Sequence, residues 1–432
     1  MRVSRFEWNG SDPRALAAEI RGSRAPAAEI SSVVAKIIEE VRRGGDAALA
    51  SIEGSHSEWS RTPFTEPKQR VRSAASRVDP EVIDALETAA ANIRAVAETQ
   101  LAGEGEVELE QGQTVELRDV PVASAGIYAP GGAAAYPSTV LMGCLPAKVA
   151  GVPRVALATP LGSDEGVPDV VLAAAAIGGA DEVHAMSGAQ AIAALAVGTE
   201  RIAPVDVIAG PGNRFVQEAK RQLYGEVGID GIAGPSELMA IVGETANPQW
   251  VALDICAQAE HSSEGLLVVV AVESATLDRI EDGALTLTAE RGIVTDPTAT
   301  LIEVPDTAAG ITLAQALAPE HLEILTEDAE LLAGAVTTAG CVFTGERGAT
   351  AFGDYAAGSN HILPTGGAGR FQGPLGPGVF RRRLATVKMT QQAARELAPT
   401  VATLARAEGF PVHAESAEVR GRSEGEAEER PV

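Results

Sequence analysis

Cysteine is scarce in this 432-residue chain: only Cys144, Cys256 and Cys341 are present, and no two of them form a CxxC pair. Their scarcity argues against a disulfide framework and a thiolate metal site, and it is typical of a reducing compartment. Long hydrophobic runs are also missing, since AAAAIGGA at 173–180 is far shorter than the ~18 residues of a membrane span. The N-terminus lacks the apolar segment of a signal peptide. We therefore expect a soluble cytoplasmic protein with no membrane partner.

Aromatic residues and positive charge are both in short supply. Phe, Trp and Tyr make up 3% of the chain and hydrophobic residues 45%, so the cores must be built from aliphatic side chains. The formal net charge is −25, and a field of that sign repels nucleic acid and anionic membranes. Two interpretations of the acidic surface remain open: a solvated surface suited to a salty cytosol, or a face for a cationic partner.

At this length two or more domains are expected. The first 120 residues are predicted to be mostly helical. Apolar residues recur at helical spacing over 31–45, which ends in Gly-Gly, and over 79–100, which begins with Asp-Pro. Gly-Gly is typical of the end of a helix, and Asp-Pro is typical of its start. The alternating segment 114–123 predicts an edge strand.

From about residue 124 a strand, a glycine turn and a helix follow one another four times, up to about residue 235. Buried β-branched runs that alternate with helices predict βαβ units and a parallel sheet with right-handed crossovers. A second α/β region follows. The Gly- and Pro-rich stretch 364–379 predicts a linker or a lid, ahead of a helical C-terminal region and a charged tail.

The predicted fold class is therefore α/β, with two Rossmann-like domains that are incomplete doubly wound sheets and with helical extensions at both termini. The domain that holds the chemical motifs is discontinuous in sequence. The predicted segments are an N-terminal helical extension at 1–24, a first α/β domain at 25–120 and 236–366, a Rossmann-like domain at 121–235, and a linker with a helical C-terminal region and acidic tail at 367–432.

Three of the six histidines fall in short strings rich in groups that bind metals or move protons. In the string QAEH, Gln258 and His261 share a helix face if the stretch is helical, because positions i and i+3 are neighbours. In the string GDYAAGSNH, Asp354 and His361 are further candidate ligands. Nitrogen and oxygen ligands without thiolate favour zinc in an open, catalytic site. A metal-assisted enzyme is the leading hypothesis.

The string PEHL places two proton-transfer groups side by side, Glu320 and His321, after a proline that starts a helix or fixes a turn. On a helix, adjacent side chains diverge by about 100°, yet both can reach one substrate from opposite sides. The alternative is a solvated helix start in which Glu320 interacts with the helix dipole. His413 stands near the C-terminal end, with Glu408 five residues before it.

The dinucleotide fingerprint GxGxxG is absent. Three glycine-rich turns instead follow predicted strands: YAPGG at 128–132, SGAQA at 187–191 and AGPGN at 209–213. Asn213 can cap the helix after the last turn and leave N–H groups free for a phosphate. Each turn alone is more typical of a structural connection. Three turns at one edge of a sheet make a nucleotide site an equally strong interpretation.

Taken together, these strings resemble one family. GIYAPGG, GAQAIAALAVGT, AGPGN, IAGPSE, QAEH, PEHL and GDYAAGSNHILPTGG occur in this order and spacing in the L-histidinol dehydrogenases, over about residues 20–415. The resemblance implies an enzyme of histidine biosynthesis that oxidises L-histidinol to L-histidine through the aldehyde. It also implies two NAD⁺ for each substrate and one Zn²⁺ per subunit.

The resemblance assigns roles to individual residues. It implies that His321 accepts the hydroxyl proton and that Glu320 activates the water that attacks the aldehyde. The implied zinc ligands are Gln258, His261, Asp354 and His413, which leaves His361 outside the ligand set. The implied substrate contacts are Ser236, Gln258, His261, His321, Asp354, Glu408 and His413. The implied NAD⁺ contacts are Tyr128, Gln190 and Asn213.

The resemblance further implies a domain-swapped homodimer, in which the C-terminal region crosses to the partner so that His413 and Glu408 complete the neighbouring site. One departure from the family is the segment RFQGPLGPGVFRRR, which is richer in Gly and Pro than is usual there. The segment includes none of the implied ligands, so the departure leaves the predicted activity intact.

Three alternatives stay open. A zinc-dependent hydrolase would need the same metal, base and water but no NAD⁺. A cysteine-dependent oxidation would pass through a thiohemiacetal on Cys144 or Cys256, although no base is evident beside either in the sequence. A non-catalytic binding protein has the least support, because several ligand and proton-transfer motifs occur in one chain.

Overall fold

The computed structural model describes residues 1–22, 28–56, 64–101, 103–131, 134–162, 166–260, 264–291 and 298–422. Within them the chain is an α/β protein. Its strands are β1 (Arg2–Glu7), β2 (Gly105–Glu108), β3 (Thr114–Pro121), β4 (Ser124–Tyr128), β5 (Arg154–Thr159), β6 (Glu182–Ala185), β7 (Val207–Ala209), β8 (Gly228–Ile229), β9 (Glu237–Val242), β10 (Leu266–Ala271), β11 (Thr298–Glu303), β12 (His321–Leu325), β13 (Cys341–Thr344) and β14 (Arg381–Lys388). Its helices are α1 (Pro13–Arg21), α2 (Ala28–His56), α3 (Lys68–Arg72), α4 (Pro80–Thr99), α5 (Pro137–Val149), α6 (Asp169–Gly178), α7 (Gly188–Val197), α8 (Arg214–Leu223), α9 (Pro248–Ala259), α10 (Ser274–Arg291), α11 (Thr307–Leu317), α12 (Ala329–Ala333), α13 (Thr350–Tyr355), α14 (Gln391–Ala407) and α15 (Pro411–Gly421).

The chain divides into two compact units. Unit 1 comprises Met1–Gln100 and Val122–Phe380, and unit 2 comprises Leu101–Pro121 and Arg381–Val432. Two parallel sheets lie in unit 1, and an antiparallel sheet lies in unit 2. None of the helices in the described ranges is long and apolar enough to cross a bilayer.

The four predicted strand–turn–helix repeats form a five-stranded sheet with the order β6-β5-β4-β7-β8, and all of its pairs are parallel. The central strand, β4, is buried at every residue. Its side chains enter two cores, because successive residues of a strand point to opposite faces. Ile127 packs with α5 and α6, and Tyr128 packs with α7 and α8. The order reverses between β4 and β7, which is where ligands of open α/β sheets bind.

A second parallel sheet has six strands, in the order β1-β11-β10-β9-β12-β13. The run LLVVVA of β10 is buried throughout, as expected of a strand that is covered on both faces. Helices α1 and α11 cover one face, and α9 and α10 cover the other. The neighbours β9 and β12 lie well inside this sheet, so their first residues are shielded from solvent.

Unit 2 joins the antiparallel sheet β14-β3-β2 to a hairpin of α14 and α15. The predicted edge strand at 114–123 is β3, but β3 lies between two partners rather than at an edge. Alanines form the core of the helical hairpin: Ala402, Ala405 and Ala414. Several large apolar side chains of this unit stay exposed, among them Leu404, Phe410 and Val412.

The N-terminal region differs from the prediction in two ways. The predicted helical extension 1–24 begins with a strand, β1, which pairs in parallel with β11 through six residues. The predicted helix stop at Gly44-Gly45 is a kink instead, because the helical segment α2 continues to His56 with a left-handed φ of 51° at Gly45. Glu200 supports the kink, since its carboxylate accepts the N–H of Asp46 at 2.7 Å.

Two further predictions need correction. PEHL does not start a helix: Pro319 and Glu320 lead into strand β12, whose first residue is His321. The stretch 364–379, predicted as a linker or lid, contains two short 3₁₀ turns. It is anchored in the core of unit 1 by Leu375 and by the adjacent Phe380.

Candidate active site

Two predicted proton-transfer groups lie at the amino edge of the six-stranded sheet. Glu320 is 6% exposed and His321 4% exposed, so both side chains are almost completely removed from water. The parallel register of β9 and β12 places His321 beside Leu238, one residue after Glu237. This edge is opposite to the carboxyl edge at which open α/β sheets usually bind ligands.

The main chain of Glu237 holds both groups. Its N–H donates to Oε2 of Glu320 at 2.8 Å, and its carbonyl oxygen lies 3.0 Å from Nδ1 of His321. A carbonyl can only accept, so Nδ1 carries the proton and Nε2 is the atom that can exchange a proton with a ligand. Nε2 lies 3.4 Å from Oδ1 of Asp354.

Burial and charge shift the pKa values of both groups. Burial raises the pKa of Glu320 to about 7, aided by the negative charges of Glu237 and Asp354 and opposed by His321. Burial disfavours the charged imidazole of His321, but Glu320 and Asp354 outweigh that effect and raise its pKa to about 9. A carboxyl group that titrates near neutral pH is well matched to the work of a general base.

Gln258 and Asp354 lie on two helices that pack together, α9 and α13. Gln258 is 2% exposed, and its Nε2 has no hydrogen-bond partner among the described residues. A buried amide group without a partner costs about 1–3 kcal/mol. A half-turn of the amide would present its oxygen at the same place, so this side chain is suited to an added ligand.

The other predicted zinc ligands are His261 and His413. His261 lies outside the described residues. His413 belongs to unit 2, where it is exposed and its ring centroid lies 5.4 Å from that of Phe410. Within the described ranges, no group of three or more His, Cys, Asp and Glu side chains is placed to hold a metal. The predicted zinc ligand set therefore stays a prediction.

The remaining candidates are placed as follows. Ser236 is half-buried and directly precedes β9. Glu408 is the C-cap of α14 in unit 2. His361 is engaged by protein at both ring nitrogens, since Nδ1 lies 2.9 Å from the carbonyl of Asp354 and Nε2 lies 2.9 Å from Oγ1 of Thr139. It therefore supports the helix that carries Asp354.

A carboxyl pair that the sequence did not indicate, the buried Glu323 and the half-buried Asp254, lies near this cluster. Glu323 follows His321 by two residues on β12 and accepts the N–H of Thr350, the first residue of α13, at 3.0 Å. Burial and the charge of Asp254 raise the pKa of Glu323 to about 8, and burial raises the pKa of Asp254 to about 6. Asp254 lies on α9, so the pair links the helices of Gln258 and Asp354.

The predicted nucleotide turns lie at the carboxyl edge of the five-stranded sheet. The hydroxyl of Tyr128 accepts the N–H of Gly188 at 3.2 Å, and burial raises the Tyr128 pKa to about 12. Gly210, on the neighbouring strand's turn, leaves no room for a side chain, because a Cβ there would lie 2.0 Å from the carbonyl oxygen of Tyr128. Asn213 caps α8 by accepting the N–H groups of Phe215 and Val216.

Charged side chains support two of these turns. The carboxylate of Glu53 accepts hydrogen bonds from the N–H of Ser187 at 2.7 Å and from Nε2 of Gln190 at 2.9 Å. The buried Lys220 pairs with Asp230 and donates to the carbonyl of Gly210 at 3.1 Å. Asp230 in turn accepts the N–H of Gly210 at 2.8 Å. The turns at 187–191 and 209–213 are thus held by interactions within unit 1.

Comparison with known proteins decides the family. A family model described as Histidinol dehydrogenase matches residues 21–421 of the chain. The chain belongs to the histidinol dehydrogenase family. The histidinol dehydrogenase of Rhizobium meliloti (strain 1021) is 39% identical over 420 residues, which cover 94% of this chain and 95% of that protein. The histidinol dehydrogenase of Pseudomonas aeruginosa is 40% identical over 407 residues, which cover 92% of each.

The same similarity extends to three dimensions. The crystal structure of histidinol dehydrogenase from Elizabethkingia anophelis is 29% identical, covers 97% of this chain and 98% of its own, and matches with a TM-score of 0.90. Membership of the histidinol dehydrogenase family makes this chain an oxidoreductase and confirms the predicted resemblance. It also confirms the α/β class, with parallel sheets.

Proposed function

We propose that the chain oxidises L-histidinol to L-histidine through histidinaldehyde, with two NAD⁺ and one zinc ion per subunit. The observation that carries the proposal is the attachment of Glu320 and His321 to the main chain of one residue, Glu237, whose N–H binds Glu320 and whose carbonyl binds His321. A four-electron oxidation of an alcohol to an acid needs two proton acceptors, one for the hydroxyl and one for the water that adds to the aldehyde. This site offers two such groups side by side.

His321 is the proton acceptor of the first oxidation. Its Nδ1–H is bound to the carbonyl of Glu237, so Nε2 receives the hydroxyl proton. Without substrate Nε2 faces Asp354, and that carboxylate helps to keep the ring protonated at neutral pH. Any positive charge bound at Asp354 offsets this carboxylate and lowers the pKa of His321, so that Nε2 is unprotonated and free to accept a proton at working pH.

Glu320 is the proton acceptor of the second oxidation. With a pKa raised to about 7 by burial, it is partly protonated at neutral pH and gains base strength from the same desolvation. Its Oε2 is bound to the N–H of Glu237, which fixes the direction of the carboxyl group. A positioned base of this kind contributes about 10²–10⁴-fold to the rate.

The described ligand candidates fit a divalent cation. The buried Nε2 of Gln258 has no hydrogen-bond partner in the part of the chain that the structure describes, and Asp354 offers a carboxylate on the helix that packs against α9. With His261 and His413 these residues would hold the zinc through oxygen and nitrogen donors. When bound there, zinc would supply a Lewis acid and a grip on the substrate, so that orientation contributes to the rate.

The three glycine turns fit NAD⁺. Tyr128, Gln190 and Asn213 belong to adjoining turns of the five-stranded sheet, and the order of that sheet reverses beside Tyr128. Bound NAD⁺ would accept the hydride of each oxidation. The Gly210 position supports this proposal, because the absence of a side chain lets the two turns approach each other closely.

We also propose a homodimer in which the C-terminal region completes the partner's site through Glu408 and His413. The exposed apolar side chains of unit 2 support this proposal, since Phe410 is 52% and Val412 is 73% exposed, and such residues favour an interface. The free thiols of the three cysteines are compatible with action in the reducing cytoplasm.

One experiment tests the activity. The zinc-loaded protein is incubated with L-histidinol and NAD⁺, NADH is followed by its absorbance, and the product is identified by mass spectrometry. We expect two NADH for each histidine formed and loss of activity after chelation. A flat NADH trace with zinc bound would overturn the proposal and leave the zinc-dependent hydrolase in its place.

A further inference from the structure

One guanidinium group lies behind the two proton acceptors without touching either of them. Arg21 is the last residue of α1, and its side chain is 17% exposed. Nη1 donates to Oε1 of Glu237 at 2.5 Å, and Nη2 donates to Oε2 at 3.0 Å. This two-bond geometry is the strongest form of the arginine–carboxylate interaction, and lysine cannot reproduce it.

The carboxylate of Glu237 binds the chain around it. It is 1% exposed, and Oε1 also accepts the N–H of Gly366 at 2.9 Å. The main chain of the same residue binds Glu320 and His321. The bonds to its side chain therefore restrain the residue whose main-chain groups orient both proton acceptors.

The same guanidinium also holds the segment that leads into Glu320. Nη2 of Arg21 donates to the carbonyl of Leu317 at 2.5 Å and lies 3.4 Å from the carbonyl of Ala318. Ala318 has a left-handed φ of 48°, a conformation that is strained for any residue with a Cβ. Arg21 stabilises this strained turn directly ahead of the PEHL segment.

We propose that Arg21 and Glu237 form a positioning pair that sets the directions of Glu320 and His321 for both oxidation steps. The pair touches no substrate and donates no proton to one. It acts from two sides, through the peptide groups of Glu237 and through the turn at Ala318. This inference rests on the proposed oxidation of histidinol, and it adds two residues to the groups that the reaction requires.

The geometry separates this role from substrate binding. Misplacement of reacting groups by about 1 Å costs roughly 10²-fold in rate. Arg21→Ala is therefore expected to lower kcat by about that factor for both histidinol and histidinaldehyde. The KM for NAD⁺ and the zinc content should stay within a factor of about three, because the hydrogen bonds that the structure describes for Arg21 go to Glu237, Leu317 and Ala318.

Chemical rescue provides the decisive measurement. Arg21 is partly exposed, so a free guanidinium ion can enter the space that Arg21→Ala opens and restore the two bonds to Glu237. Millimolar guanidinium should raise the kcat of Arg21→Ala several-fold, whereas sodium chloride or methylammonium at equal ionic strength should not. Arg21→Lys should be rescued little, because its side chain still fills the space. Arg14→Ala, on the exposed side of α1, is the matched control and should behave like the wild type.

A second measurement does not depend on activity. The proton on Nδ1 of His321 should give a downfield imidazole N–H resonance, assigned by its loss in His321→Gln. Arg21→Ala and Glu237→Gln should broaden or shift this resonance, and guanidinium should restore it in Arg21→Ala.

The outcomes distinguish the two proposals. An active wild type with an unchanged kcat in Arg21→Ala, or a loss that guanidinium does not reverse, would overturn the positioning pair and leave the enzymatic function intact. An inactive wild type would overturn the proposed function alone. The Nδ1–H resonance of His321 would still show whether Arg21 and Glu237 orient His321. If Arg21→Ala does not fold, Glu237→Gln and Arg21→Lys carry the same comparison.

Discussion

Replacement of Glu320 by glutamine is expected to make the protein more stable and the second oxidation slower. The carboxyl group is almost fully buried, and burial raises its pKa from 4.5 to about 7. A carboxyl group with a raised pKa in the folded state contributes stability below pH 4.5, and this contribution is lost as the pH rises through about 7. The buried, ionised Glu320 therefore lowers the free energy of unfolding of the wild type at neutral pH and above.

The size of the effect follows from the pKa. With 1.36 kcal/mol for each pKa unit, the folded state is disfavoured by about 3 kcal/mol at pH values above 7. Glutamine has nearly the same shape, and its carbonyl oxygen can accept the N–H of Glu237 that Glu320 now accepts. Glu320→Gln should therefore exceed the wild type in unfolding free energy, and the difference should grow by about 2 kcal/mol between about pH 5 and about pH 8.

The assay is urea unfolding of the metal-free protein at fixed protein concentration, together with the two half-reactions of the zinc-loaded protein. Glu320→Gln should slow histidinaldehyde oxidation by about 10²–10⁴-fold and histidinol oxidation much less, because only the second step needs an activated water. Glu327→Gln, on the exposed segment after β12, should change neither property. A pH-independent stability difference would refute the burial argument. Equal losses in both half-reactions would refute the assigned role.

Three further predictions concern side chains around the sites. Gln258→Leu should stabilise the metal-free protein by about 1 kcal/mol, because it removes a buried Nε2 that has no hydrogen-bond partner among the described residues, and should lower the zinc retained after dialysis; greater retention would contradict the ligand role. Glu53→Gln should raise the KM for NAD⁺ and leave that for histidinol unchanged, because Glu53 orients Gln190; equal changes in both constants would count against it. Lys220→Met should lower the unfolding free energy by about 3–5 kcal/mol, because it leaves the buried charge of Asp230 without its cation; the additional change Asp230→Leu should restore part of the loss in urea unfolding, and no restoration would show that the ion pair is not the cause.

The sequence predicted the regular part of the fold well, because hydrophobic periodicity reports burial directly. The βαβ repeats and helix α4 follow that pattern. Strand β12 was missed because its buried face begins with His321 and continues with Glu323, and polar residues at those positions conceal a buried strand. Strand β1 was missed because it lies at the edge of its sheet beside β11, and its residues are half-buried or exposed, so they show no buried apolar pattern.

The sequence predicted the candidate side chains of the site but not the main-chain groups that orient them. Glu320 and His321 were recognised as neighbours with complementary chemistry, but their arrangement depends on the peptide groups of Glu237. Every residue carries such groups, so no pattern of residue types can indicate that function. Arg21 is distant in sequence from Glu237, and only the folded chain brings the two together.

The pairing of β3 with β14 has a consequence for synthesis of the protein. These strands join residues 114–121 to residues 381–388, so β3 leaves the ribosome long before its partner has been translated. Until then its free backbone groups can pair with another nascent chain, as exposed strand edges do. Messages truncated ahead of codon 381 should therefore yield aggregates, and a supplied peptide with the sequence of β14 should keep those fragments dispersed.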